Sequence, residues 1–92
     1  MAKKRKLLKK ILSGSKNIRF DELVMMLEAF GFMLDRVTGS HHIYVHPDVP
    51  RPFPVQEVQG QAKPYQIRQF LKLIETYNLQ LEDEQDDHES EA

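Results

Sequence analysis

The chain has 92 residues, 40% of them hydrophobic and 29% charged, which predicts one small domain near the lower size limit for a self-sufficient core. It contains no cysteine, so disulfides, thiolate chemistry and cysteine-based zinc sites are excluded. No apolar run approaches the roughly 20 residues of a membrane span, and the basic start lacks the long apolar stretch of a signal peptide, so we expect a cytoplasmic protein.

The net charge of −1 conceals a strong asymmetry along the chain. Residues 1–81 contain all 13 lysines and arginines but only seven acids, a net charge of +6. Residues 82–92 contain seven acids and no Lys or Arg, a net charge of −7. This distribution predicts that the basic body meets an anionic partner. The acidic tail has no aromatic or β-branched residue and is predicted to be disordered. It is either a solubilising appendage or a mimic of nucleic acid that screens the basic surface.

Two helices are predicted in the first third of the chain. The first is basic and amphipathic, runs from Lys3 to Leu12 and ends at the Ser13-Gly14-Ser15 break. Its apolar face consists of Leu7, Leu8, Ile11 and Leu12. The second takes Asp21 as its N-cap, with Phe20 before it as a hydrophobic staple. Its apolar stripe consists of Leu23, Val24, Met26, Leu27 and Phe30. Gly31 fits the C′ position, because a positive φ angle costs glycine little.

A β-hairpin is predicted to follow. Phe32 to Val37 and His41 to His46 have the composition of strands, and Thr38-Gly39-Ser40 between them forms the turn. A third, weaker strand runs from Arg51 to Gln56, and its prolines place it towards the edge of the sheet.

The rest of the body is predicted to be a loop over residues 57–62 and a helix that opens with Pro64 in its first turn. The apolar face of this helix contains Ile67, Phe70, Leu71 and Ile74. The element order predicts an α+β fold, in which helices pack on one face of a three-stranded antiparallel sheet and the other face stays open.

Three segments of the chain resemble the HicA family of bacterial toxins. They are Ala29-Phe30-Gly31-Phe32, the run from Arg36-Val37-Thr38-Gly39-Ser40 through His41-His42-Ile43-Tyr44, and His46-Pro47. The closing helix, with Ile67, Arg68 and Ile74, also lies where that family has its final helix. The resemblance covers about residues 20–78.

This resemblance implies a dsRBD-like fold, similar to double-stranded-RNA-binding domains, over residues 15–81. The basic helix of residues 1–14 and the acidic tail of residues 82–92 are additions to it. The resemblance also implies a metal-independent endoribonuclease, an mRNA interferase without a cofactor, whose partners are mRNA and a HicB-type antitoxin. The family's functional glycine and histidine correspond to Gly39 and His41.

The third strand departs from the family pattern. Where the family usually has a Val-Pro-x-His-like segment, this chain has Phe53-Pro54-Val55-Gln56. A non-catalytic RNA-binding or partner-binding module on the same fold is therefore the alternative interpretation.

The histidines beside the turn are the candidates for acid–base chemistry. Metal-free RNA cleavage needs a base near the 2′-OH and an acid near the leaving oxygen, and a histidine can fill either role. Gly39 lets backbone N–H groups approach a phosphate, and Ser40 can donate to a phosphate oxygen. Candidates to bind the RNA backbone are Arg36, Lys63 and Arg68.

Strand alternation and the resemblance favour different histidines. Alternation predicts that Ile43 and Val45 face the core and that His42 looks out from the open face, with Tyr44 as a stacking platform for bases. Spacing alone therefore favours His42. The resemblance favours His41, which we take as the first candidate, with His42 as the second.

No metal site is expected. Along an extended strand His42 and His46 lie roughly 13 Å apart, too far to share one zinc ion with Asp48. His46, directly before Pro47, is predicted to be structural.

Overall fold

The computed structural model of the chain describes residues 3–14 and 17–81. Three helices and four strands follow one another as α1 (Lys3–Leu12), α2 (Phe20–Ala29), β1 (Met33–Thr38), β2 (His41–His46), β3 (Val49–Val58), β4 (Gln61–Ala62) and α3 (Pro64–Tyr77). The strands form one antiparallel sheet in the order β1-β2-β3-β4. The predicted α+β class is confirmed, and the arrangement is consistent with a dsRBD-like fold. The predicted disorder of residues 82–92 concerns a segment outside the described residues.

The short strand β4 corrects the prediction of a loop at residues 57–62. Glu57 pairs with Ala62 across a tight turn in which Gln59 and Gly60 have φ angles of 54° and 77°. Positive φ at both central positions is the pattern of a type I′ hairpin turn. The loop prediction was wrong because glutamine gives little sign that it will adopt this left-handed conformation.

Helix α2 begins one residue before the predicted N-cap. Arg19, rather than Asp21, occupies the N-cap position. The Glu22 carboxylate accepts a hydrogen bond from the Arg19 backbone N–H at 2.9 Å, so an acid three residues into the helix satisfies the terminus. Asp21 instead accepts a hydrogen bond from Arg19 Nε at 3.3 Å. At the other end Gly31 has a φ of 96°, as predicted for the C′ position.

The face of β2 that the helices cover is opposite to the one predicted. Tyr44 is 2% exposed and pairs with buried Phe53. The rings of His42 and His46 pack 4.9 Å from those of Phe20 and Phe32, respectively. Phe20 of α2 and Phe32, in the connection from α2 to β1, are thus the aromatic partners of these two side chains of β2. The half-buried Ile43 and Val45 therefore lie on the uncovered face of the sheet, which we call the open face.

Helix α1 packs against the other helices and runs antiparallel to α3. Its buried residues Leu7 and Ile11 belong to the single hydrophobic core. Leu8, in the middle of α1, shares a groove with Ile74 near the end of α3, whereas Gly14, just after α1, shares another with Pro64 at the start of α3. None of the helices in the described ranges combines the length and apolarity that a bilayer span requires.

Strand β1 forms one edge of the sheet and is irregular. Its register against β2 shifts between Leu34 and Arg36, so Asp35 is an extra residue of a β-bulge. The outer strand carries three exposed apolar side chains, those of Met33, Leu34 and Val37.

Candidate functional site

The tip of the β1–β2 hairpin is a two-residue turn with open space above its glycine. Thr38 and His41 pair across it, with Gly39 and Ser40 as the connecting residues. Gly39 has a φ of 61°, a left-handed conformation that favours glycine, and a Cβ atom placed there would meet nothing within 4 Å. The glycine is therefore needed for the backbone conformation, and it leaves open space above the turn for a ligand.

His41 begins β2 on the open face, where its side chain is exposed. Its neighbours across the sheet are Thr38 on β1 and Gln56 on β3. One step further along the same face lie Arg36, Ile43 and Pro54. The imidazole is therefore accessible to a large ligand lying on the sheet, and the turn lies directly beside it.

A chain of hydrogen bonds connects the interior of the protein to this turn. Gln66 of α3 is 4% exposed; its amide donates to the Pro54 carbonyl and accepts from the Gln56 backbone N–H, both at 2.9 Å. The Gln56 side chain then donates to Ser40 Oγ at 3.2 Å. Gln66 therefore fixes the part of β3 that holds Gln56 against the turn.

The second-choice histidine, His42, points away from the open face. Its ring packs on Phe20, and its Nδ1 atom is buried with no hydrogen-bond partner among the described residues. Its strand partner Val55 is fully buried. His42 thus lies between the sheet and the helices, on the opposite side of the strand from His41.

Tyr44 is also held under the helices and cannot offer its ring to a base on the open face. Burial raises the pKa of its phenol, and the negative charge of Glu28 raises that pKa further. The side chain is therefore neutral at physiological pH. The stacking role predicted for Tyr44 conflicts with this position, because Tyr44 shares the helix-covered face with Phe53.

The predicted backbone-binding cations lie in three different places. Arg36 is exposed on the open face, three residues before Gly39 of the turn, and forms an ion pair with Asp35. Lys63 precedes α3, with its Nζ 5.8 Å from the centre of the Tyr65 ring. Arg68 lines a groove with Ile11 and Leu12 of α1. Of the three, the structure brings only Arg36 onto the face that carries His41.

His46 has both ring nitrogens engaged in structural hydrogen bonds. The Asp48 backbone N–H donates to Nδ1 at 3.0 Å, so the proton is on Nε2, which donates to the Phe30 carbonyl at 2.9 Å. The ring ties the end of β2 to the end of α2, as the prediction of a structural role requires. Within the described ranges, no group of three or more histidine, aspartate or glutamate side chains is arranged to hold a metal ion.

Sequence reasoning missed two glutamines of the site. Gln56 was considered only as a departure from the third-strand pattern of the resembled family, and Gln66 was not considered as a site residue. A signal for Gln56 was available, because a polar residue follows Val55 at the strand position facing away from the core. Gln66 interrupts the apolar side of α3, which could have indicated a buried side chain with specific partners.

Comparisons with known proteins identify one family. The sequence model of the family described as HicA toxin of bacterial toxin-antitoxin matches residues 20–75. The match begins at α2, spans the whole sheet and reaches into α3. No curated protein and no solved structure matches the chain.

Proposed function

This chain belongs to the HicA toxin family of bacterial toxin–antitoxin systems, and from that premise we propose that it is an endoribonuclease that cleaves mRNA in the cytoplasm without a metal ion. His41 is the catalytic residue of this proposal. The observation that carries it is the exposed position of His41 on the open face, beside a turn built on left-handed Gly39.

The proposed reaction is an internal transfer within the RNA. The imidazole of His41 takes the proton of a ribose 2′-OH, and the 2′-oxygen forms a bond to the adjacent phosphorus. The bond from phosphorus to the 5′-oxygen breaks, and the leaving oxygen takes a proton from water. The products are a 2′,3′-cyclic phosphate and a 5′-hydroxyl. General base catalysis of this kind contributes about 10²–10⁴-fold to the rate.

The residues around His41 position the phosphate in this proposal. The turn at Gly39 offers backbone N–H groups, and Ser40 Oγ, which accepts from Gln56, retains its own proton to donate to a phosphate oxygen. Arg36 lies on the same face and contributes positive charge to a phosphate when it exchanges its exposed ion pair with Asp35 for that contact. Binding to phosphates through such groups weakens as salt concentration rises. Lys63 and Arg68 lie away from this face, so contacts from them require RNA that extends round the protein.

We propose a HicB-type antitoxin as the protein partner. Toxin–antitoxin systems pair each toxin with an antitoxin, and the family assignment supports such a partner here. An antitoxin that covers the open face would keep RNA away from His41.

The test is expression of four chains in a bacterial host, the wild type and three single variants, with growth and bulk mRNA integrity followed after induction. We expect growth arrest and mRNA loss with the wild type and with His88→Ala, a matched control in the acidic tail. We expect neither with His41→Ala. Arrest that persists in His41→Ala and disappears in His42→Ala would assign catalysis to the second-choice histidine and overturn this assignment.

One observation favours a second candidate function, a non-cleaving RNA-binding module. Gln56, which cannot exchange a proton near neutral pH, faces His41 across the strands. A second acid–base group is thus lacking opposite His41. Soluble, folded wild-type protein that retains RNA but leaves it intact during long incubation would establish this alternative in place of the nuclease.

A further inference from the structure

The outward face of α1 concentrates positive charge. Six of the ten residues of this helix are lysine or arginine. Leu7 and Ile11 turn inward, which leaves Arg5, Lys6 and Lys9 exposed. Among the described residues Lys10 pairs with Glu22 at 3.3 Å, and no carboxylate pairs with Lys6 or Lys9.

This charge is unfavourable for the helix itself. Like charges three or four residues apart, such as Lys6 and Lys9, repel one another on a helix surface. The first turn contains no acid, so its basic residues lie at the positive end of the helix dipole. A polyanion bound along this face would relieve both effects.

The last described residues of the chain follow α3, whose end lies next to the start of α1. Because α1 and α3 run antiparallel, with Leu8 in a groove with Ile74 and Gly14 in another with Pro64, the start of α1 lies next to the end of α3. After α3 the chain stays on the body, since Leu79 is buried and Leu81 packs against the core. The last described residue, Leu81, thus lies only four residues beyond the end of α3.

The acidic tail is long enough to reach along α1, and its charge is opposite to that of the helix. An extended segment of 11 residues reaches about 36 Å, whereas the ten residues of α1 span about 15 Å. Residues 82–92 carry seven acids. The open face is a weaker competitor for them, because Arg36 on that face is already paired with Asp35.

We propose that residues 82–92 dock along the outward face of α1 as an intrachain polyanion, with Lys6 and Lys9 at the centre of the contact. The docked tail neutralises the helix and occupies a basic surface separate from the one around His41. The proposal does not rest on the proposed nuclease activity.

A spin label placed in the tail tests this docking directly. The chain contains no cysteine, so Ser90→Cys gives a single site for a nitroxide label. The amide signals of the full chain are then recorded by NMR at about 0.01 M salt, where the Debye length is about 30 Å, and at about 1 M, where it is about 3 Å. We expect α1 amides around residues 5–10 to lose intensity at low salt and to recover it at high salt.

Charge-reversed chains with the same label provide the controls. Lys6→Glu with Lys9→Glu should abolish the low-salt loss on α1, whereas Lys72→Glu, an exposed lysine of α3, should preserve it. The proposal is overturned if the loss centres on Arg36 and His41, if it survives the α1 reversal, or if no amide loses intensity at either salt concentration. A circular dichroism spectrum of each variant confirms that the fold is intact.

Discussion

Replacing Gln66 with methionine should destabilise the protein and loosen the turn beside His41. Methionine has a similar length and flexibility and suits a buried position, but it removes both hydrogen bonds to β3. The Pro54 carbonyl and the Gln56 N–H, which each bond to the Gln66 amide at 2.9 Å, would lose their partners. These two hydrogen bonds are the main polar connection described between α3 and β3.

The size of the effect follows from these two bonds. Each contributes about 1 kcal/mol net, and each partner left unsatisfied adds to the cost according to how little water reaches it. Both bonds are partly buried, so we expect a loss of about 2 kcal/mol in the free energy of unfolding. In a domain of this size such a loss lowers the Tm by about 8–16 °C.

Thermal unfolding and amide hydrogen exchange check this prediction together. Gln69→Met on the same helix is the matched control, because Gln69 is exposed and its replacement should change stability by no more than about 0.5 kcal/mol. The Gln56 amide should exchange faster in Gln66→Met than the overall loss of stability explains. Equal Tm values for the two variants, with unchanged exchange at Gln56, would refute the role assigned to Gln66.

Three further substitutions have defined outcomes. Gly39→Ala should cost about 1 kcal/mol, because alanine must adopt the left-handed φ of 61° although space for its Cβ is open; an unchanged Tm would contradict this. His46→Ala should cost about 2–3 kcal/mol in urea unfolding, since the Phe30 carbonyl and the Asp48 N–H lose their partner; a cost below about 0.5 kcal/mol would show that water replaces the ring. Tyr44→Phe should remove part of the loss of stability above about pH 10. The reason is that the raised pKa keeps folded Tyr44 protonated while the unfolded chain ionises. Urea midpoints with the same pH dependence in both proteins would count against it.

Local sequence signals predicted most of the elements. The bounds of α1 and β2 agree with the structure, and Pro64 begins α3 as its position suggested. Gly31 and Gly39 marked a helix end and a turn, because glycine is the residue for which positive φ is least costly. These features depend on nearby residues alone, which is why they can be read from the chain.

The orientation of β2 could not be read in the same way. The strand alternates two sets of side chains of comparable apolar character, His41-Ile43-Val45 and His42-Tyr44-His46. Ile43 and Val45 favoured the wrong set as the core face, since isoleucine and valine are buried more often than histidine. The decision came from distant residues, Phe20 and Phe32, whose rings contact His42 and His46. Such contacts join segments well apart in the sequence and leave no periodic signal.

Only the local features of the candidate site were predicted, because its other contacts join segments that are far apart in the sequence. The turn at Gly39 and Ser40 was recognised locally, and the family resemblance pointed to His41 over His42, although the catalytic role of His41 stays a prediction. The contribution of Gln56 and Gln66 depends on the pairing of β2 with β3 and on the packing of α3, which no local pattern specifies.

The bulge in β1 bears on how this protein behaves at high concentration. An uncovered outer strand with apolar side chains is a template on which further chains can add, strand by strand, into aggregates. In β1 the extra residue Asp35 breaks the regular spacing of the outward backbone groups midway along the strand and places a charge there. A neighbouring chain could therefore pair with only a few residues on either side of the interruption. The irregular edge thus favours colloidal stability when the protein is concentrated.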